Sequence, residues 1–273
     1  MQQTPYCPEQ EGDAESFLAT AVDMDHFIDD VVSTVDAVRA AGKHKKYVNL
    51  SFDEWNVWYK TGVDTDDQPH NVGKSWREHP RLIEDTYNVT YAAVVGTLLN
   101  SLLRQGDRVT IANQAQLVNV IAPIRSEEGG PAWRQSIFWP FARMAELARD
   151  RILRTSEKSE KVETAKFGDA DLVDVSSTWD EENGRVAMFL ANRSLESPAG
   201  VEVSLLGFTG GQVTRAEVLE VPAGGNRFSA NTENDQHTVG LHTLEGVAVD
   251  GGRMTLTLPA LSWAVVELEV TTA

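Results

Sequence analysis

The stretch Ser51-Phe52-Asp53-Glu54-Trp55-Asn56-Val57-Trp58-Tyr59 gathers two carboxylates, an amide and four aromatic rings within nine residues. A carboxylate can serve as nucleophile or as general acid and base. Aromatic planes pack on the C–H faces of a neutral, ring-shaped ligand such as a sugar, and amides take its hydroxyls. In an extended chain Phe52, Glu54 and Asn56 face one way and Ser51, Asp53 and Trp55 the other. The adjacent acids therefore cannot flank one substrate bond together. Glu54, sharing its face with the Asn56 amide, is the favoured catalytic carboxylate, and Asp53 is expected to anchor structure. Trp55 and Trp58 are the candidate ring platform, and Gln116 and Asn119 supply further amides after a later strand. Each choice has a bland alternative. Glu54 could be a satisfied buried carboxylate, Trp58 and Tyr59 core residues, and Gln116 a capping or loop group.

The elements around these residues follow from periodicity. Phe17, Leu18, Val22, Phe27, Ile28, Val31, Val35 and Val38 recur at three- and four-residue steps, predicting one helix over 14–41 that stops at Gly42. Residues 47–52 predict a buried strand, and 60–80 a polar loop. Residues 82–105 predict a helix apolar over much of its circumference, which should lie against a sheet. A strand at 108–112 and a helix at 136–150 follow. This alternation implies parallel strands with crossover helices, and both strands deliver polar groups at their C-terminal ends, where such enzymes carry their chemistry. Residues 151–165 lack periodicity and predict a linker. Beyond them, short alternating segments at 172–179, 185–191, 201–205, 215–219, 253–258 and 264–268 are separated by turns such as Asn183-Gly184 and Gly251-Gly252. They predict an antiparallel β-sandwich of roughly 100 residues.

Composition removes several classes of function. With 24 Lys+Arg against 41 Asp+Glu the net charge is −17, spread over both halves of the chain. Such a surface repels phosphate backbones, so neither nucleic acid nor an anionic membrane is an expected partner. No window reaches the roughly 18 apolar residues of a membrane span. The single cysteine, Cys7, excludes an internal disulfide and a cysteine-built zinc site. The six histidines are scattered, with none at ligand spacing to a carboxylate, so neither metal nor cofactor is expected. The first five residues have neither a basic nor an apolar segment, and with the lone cysteine this leads to the expectation of no secretory signal and a cytoplasmic location.

Longer motifs sharpen the chemistry. Tyr47–Tyr59 resembles the nucleophile segment of the α-L-arabinofuranosidases of glycoside hydrolase family 51. Ala115–Pro123 with Gly130–Trp133 resembles that family's last barrel strand and its loop. Phe17–Ala19 and Met24–Ile28 resemble the helix before the nucleophile strand, and Leu258–Trp263 the final sandwich strand. The resemblance implies that Glu54 is the nucleophile of a retaining hydrolysis of terminal arabinofuranosyl residues, and that Trp58, Gln116 and Tyr6 line the sugar pocket. At Cys7 this sequence departs from the second aromatic often found beside that tyrosine. Retaining enzymes need an acid/base about 5–5.5 Å from the nucleophile. In this family it is the glutamate of an Asn-Glu pair at the end of the fourth strand, and no such pair precedes the sandwich here.

The expected fold class is α/β plus all-β: residues 1–155 as the C-terminal portion of a (β/α)8 TIM barrel, then residues 165–273 as an antiparallel, jelly-roll-like sandwich. The first four or five barrel strands are expected to be missing, leaving the apolar helix around Ala92–Leu103 uncovered and the chain inactive alone. Arabinofuranosyl oligosaccharides are the expected ligand. A second copy of the chain or a complementing N-terminal barrel fragment is the expected protein partner. The non-enzymatic alternative is a carbohydrate-binding or interaction module with vestigial barrel strands.

Overall fold

The computed structural model describes residues 6, 7, 9, 12–57 and 84–273. Strand β1 (Tyr6–Cys7) precedes α1 (Ala14–Leu18) and α2 (Thr20–Ala41). The single helix expected over 14–41 breaks at Ala19. Asp13 Oδ1 caps α1 by accepting from the Ser16 amide at 3.1 Å, and the Thr20 hydroxyl takes the Phe17 carbonyl at 2.6 Å. A side-chain donor at that carbonyl competes with the backbone ladder of the helix. After β2 (Leu50–Val57), α3 (Val89–Arg104) crosses back to β3 (Val109–Gln114), and both strand pairings, β1 with β2 and β2 with β3, are parallel.

The expected strand at 47–52 begins only at Leu50, and its buried half is the far one. Tyr47 and Val48 are exposed, whereas Trp55, Asn56 and Val57 are fully buried. The reason is the helix above: α3 starts over the end of β2, where the Tyr87 hydroxyl donates to the Val57 carbonyl at 3.0 Å.

The rest of the chain is mostly antiparallel. A hairpin of β4 (Ile124–Ser126) and β5 (Ala132–Arg134) leads into α4 (Phe138–Leu147). Then come β6 (Arg151–Leu153), the hairpin β7 (Lys161–Thr164) with β8 (Gly168–Asp171), and β9 (Val173–Asp180), β10 (Arg185–Asn192), β11 (Ala199–Ser204) and β12 (Phe208–Leu219). The short β13 (His242–Thr243) and β14 (Ala248–Asp250), then β15 (Arg253–Leu258) and β16 (Ser262–Thr272), complete it. One sheet has the order β13-β12-β16-β10-β9-β6 and faces a three-stranded sheet β11-β15-β14. Met188, Leu190, Val266 and Leu268 of the larger sheet meet Met254, Leu256 and Leu258 of the smaller in one core. Residues 151–153, expected to belong with the barrel part and its linker, are instead the edge strand of the larger sheet, paired with β9.

The other face of that larger sheet is also buried. Ala187, Phe189, Ala191, Trp263 and Val265 alternate with the residues of the first core, and they pack with α3, α1, α2 and β2 in a second one. Every α3 residue from Val89 to Leu102 is buried as a result. The helix expected to be uncovered is thus enclosed between two sheets, because the sandwich supplies its second wall. Gly96 lets it approach closely: an added Cβ would land on Cδ1 of Trp263, 2.6 Å from Nε1 and 2.9 Å from Cγ.

Polar groups fasten this joint. Asn100 accepts from the Ser176 hydroxyl at 2.7 Å and donates to the Phe189 carbonyl at 3.3 Å. Arg104 bridges Asp174 at 2.5 Å and Asp25 at 2.9 Å, and Arg193 reaches the second oxygen of Asp174 at 3.2 Å. At the other flank Arg143 of α4 holds Glu217 of β12 through two contacts, at 2.6 and 3.0 Å.

Candidate functional site

The C-terminal edge of the parallel sheet gathers most of the expected residues. Tyr6 pairs with Asn56, and Trp55 with Gln114, so Tyr6, Glu54 and Gln116 share one end of three adjacent strands. Trp58 lies outside the described residues, and for Tyr6 only the backbone position is described.

Glu54 owes its setting to a local irregularity. Phe52 pairs with Ala112 and Trp55 with Gln114, so three steps on β2 oppose two on β3. The extra residue is a bulge, which bends a strand and re-aims its side chains. Asp53 and Glu54 are in consequence both exposed, where strict alternation puts them on opposite faces. Asp53 accepts a hydrogen bond from the Ser51 hydroxyl at 2.5 Å, a tie within the strand itself.

The two residues after Glu54 hold the strand in place and do not face a ligand. Trp55 is fully buried, which removes it from the expected ring platform. Asn56 is fully buried too: its amide donates to the Ala115 carbonyl and, at 2.6 Å, to that of Ile121. Its oxygen accepts from the Val57 amide at 2.8 Å and from the Gln114 side chain at 3.3 Å. Asn56 thus binds the end of β2 to the turn after β3 that carries Gln116, whose side chain is exposed and whose peptide bond to Ala115 is cis. Asn119, expected as a sugar-facing amide, instead accepts from the Ser126 amide and hydroxyl at 2.8 and 3.2 Å.

Gln135, which no local pattern singles out, organises the rim. Fully buried, it accepts from the Tyr87 amide at 3.0 Å and donates to the carbonyls of Asp85 at 3.1 Å and Ala122 at 2.8 Å. Its partners lie thirteen to fifty residues away, so periodicity carries no trace of it. Burial raises the Tyr87 hydroxyl well above the usual tyrosine range, with Asp85 adding to the shift, so it stays a donor at all ordinary pH. Among the described residues, no cluster of three or more His, Cys, Asp or Glu could hold a metal ion, and no helix is long and apolar enough to cross a membrane.

A parallel α/β layer thus delivers an exposed carboxylate at its C-terminal edge, with its crossover helix packed on an antiparallel sandwich. The α-L-arabinofuranosidase C-terminal domain model matches residues 53–262. The chain is 43% identical over 94% of its length to the intracellular exo-α-(1→5)-L-arabinofuranosidase of Streptomyces lividans, and it spans 38% of that protein. It is 39% identical over 96% of its length to an exo-α-(1→6)-L-arabinofuranosidase of Bifidobacterium longum, spanning 50% of it. The structure of a family 51 α-L-arabinofuranosidase of Bifidobacterium longum superposes with a TM-score of 0.82 at 36% identity, covering 93% of this chain and 48% of that one. The chain belongs to the α-L-arabinofuranosidases of glycoside hydrolase family 51 and corresponds to their C-terminal part. It spans about half the length, or less, of these relatives.

Proposed function

We propose that this chain carries the nucleophile half of a retaining α-L-arabinofuranosidase, its three parallel strands being the sixth to eighth strands of a (β/α)8 barrel. The observation that carries the reading is the bulge that turns Glu54 out of the C-terminal edge of β2, beside Tyr6 and Gln116. Catalytic carboxylates of such barrels sit at that edge. Glu54 attacks the anomeric carbon and forms a glycosyl-enzyme, which water then hydrolyses with a second carboxyl group as acid and later as base. Tyr6, Trp58 and Gln116 line the arabinofuranose pocket. The acid/base belongs to barrel strands that precede this segment, so a complementing N-terminal portion is the functional partner and the chain alone turns over negligible substrate. Terminal α-L-arabinofuranosyl groups of arabinose-containing oligo- and polysaccharides are the substrate class, and the relatives named intracellular suggest the same compartment here.

The test is hydrolysis of 4-nitrophenyl α-L-arabinofuranoside by the chain alone and by the chain joined to a preceding barrel portion from a relative. Only the joined protein is expected to be active, and Glu54→Ala in it should lower kcat by roughly 10⁴-fold or more. Azide should then restore turnover with an arabinosyl azide of inverted configuration as product, because it replaces the missing nucleophile. Retained activity in Glu54→Ala, or robust turnover by the chain alone, would overturn the assignment.

A further inference from the structure

The loop between β12 and β13 leaves the sandwich and reaches the start of α3 and the segment after β1, Arg227 taking part at both points. At the first, it meets the start of α3. The Val89 amide donates to the Ser229 carbonyl at 3.1 Å, and the Thr90 amide and hydroxyl donate to the Arg227 carbonyl at 3.3 and 3.1 Å. The opening amides of a helix have no partner within it, and this loop supplies one for two of them. Because the Tyr87 hydroxyl binds the last residue of β2, the start of α3 lies on the same side as Glu54. At the second point, the Arg227 guanidinium grips Glu9 through two parallel contacts, Nη1 to Oε2 at 3.0 Å and Nη2 to Oε1 at 2.6 Å. The Glu9 side chain is only 10% exposed and that of Arg227 25%, so the pair is shielded from water. Arg227 also lies 4.0 Å over the ring of Phe228, which limits its rotamers.

Glu9 follows Cys7 by two residues, and among the described residues β1 pairs with β2 at Tyr6 with Asn56 and at Cys7 with Val57. A bidentate, charge-assisted pair two residues further on is a strong restraint on the strand's position. We propose that Arg227 is a positioning residue for the arabinofuranose site: through Glu9 the sandwich clamps β1 and thereby fixes Tyr6 beside Glu54. This rests on the reading of Tyr6 and Glu54 as pocket residues. The clamp joins parts of the chain 218 residues apart, so the sandwich acts on the pocket directly as well as through the core.

Hydrogen exchange followed by mass spectrometry on the whole chain tests the clamp. The variants are Arg227→Met, which keeps the aliphatic stem, Glu9→Gln, and the exchanged pair Glu9→Arg with Arg227→Glu. Each single variant should speed exchange of the amides of Tyr6, Cys7 and Glu9 by about tenfold or more, the loss expected for a shielded ionic hydrogen bond, while β10 and β16 keep wild-type protection. The exchanged pair should recover most of the protection, which a merely structural role for either residue alone does not predict. Unchanged exchange at Tyr6, Cys7 and Glu9 in both single variants, or an exchanged pair as fast as they are, would overturn the proposal. Failure of the underlying site reading has a separate signature: in the joined protein, Glu54→Ala then leaves arabinofuranoside hydrolysis intact, whatever the Arg227 variants do to exchange.

Discussion

Gly96→Ala sets two physical effects against each other at the joint of the molecule. In an exposed helix interior this change raises stability by about 1 kcal/mol, because alanine leaves the unfolded chain fewer conformations to lose. Here the new methyl group would overlap Trp263, with three indole atoms nearer than any real Cβ tolerates. Trp263 has no room to withdraw: it is fully buried and lies nearly parallel to Phe189, at 6.4 Å between centroids and 20° between planes. The helix and the larger sheet must move apart by roughly 1 Å to restore contact distance. Overpacking of that size costs about 1–3 kcal/mol, and the close approach of three atoms argues for the upper end. The net expectation is a loss of about 2 kcal/mol, or a Tm lower by roughly 5 °C for a chain of this size. Urea denaturation followed by far-ultraviolet circular dichroism measures it. Trp263→Leu supplies the control, since its cavity should absorb the methyl group and the two losses should not add. A Gly96→Ala protein as stable as the wild type, or additive losses in the double variant, would refute the reasoning.

Further expectations concern the same seam and the site. Asp174→Asn leaves Arg193 and Arg104 without their shared carboxylate, and since Asp174 and Arg193 side chains are 4% and 5% exposed the loss should be about 3 kcal/mol in chemical denaturation. Asn56→Ala strips the Ala115 and Ile121 carbonyls of a buried donor, and a loss of about 2–4 kcal/mol is expected by the same measurement. The carboxyl of Glu157 is pushed up to about 7 by desolvation and by the negative charge of Asp174, with Arg104 opposing. Its folded value thus lies above the unfolded one, so its ionisation costs nothing below about pH 4.5 and destabilises increasingly as pH rises through 7. Glu157→Gln should therefore raise Tm at pH 8 and leave it unchanged at pH 4, the gain staying below the equivalent of about 1 kcal/mol because the residue keeps part of its surface in solvent, which screens the charge. A larger gain at pH 4 than at pH 8 in differential scanning calorimetry would contradict that sign.

Part of the sandwich was legible because strands such as β11 and β15 alternate. In β10 and β16 both sets of side chains are buried, yet the continuous apolar run still reads as strand, bounded by Asn183-Gly184 and by Pro259. The apolar circumference of α3 correctly implied a sheet beside it. What it could not reveal was a second sheet, because the partners Phe189 and Trp263 lie far along the chain and no local period marks them. Alternation also misjudged the site. It assumes an unbroken ladder, and the bulge at Asp53–Glu54 breaks it through pairing with β3, a non-local event. The tryptophan and asparagine after Glu54 were composition signals for ligand contact, yet they are buried, Asn56 against the end of β3 and the turn after it. The short hairpin of β7 and β8 fell in a stretch of charged residues without periodicity, where cross-strand pairing alone sets the structure.

The larger sheet, covered on both faces, has a consequence for anyone recombining these enzymes. A cut in the segment between α4 and β9 severs few chain connections but divides one core. It would leave Phe189, Trp263 and Val265 facing water on one piece and the length of α3 on the other. A chimera that exchanges the sandwich between two arabinofuranosidases therefore succeeds only if α3 travels with it, or if Gly96 and Trp263 are matched across the graft. The natural unit of exchange begins at α3, not at the apparent linker.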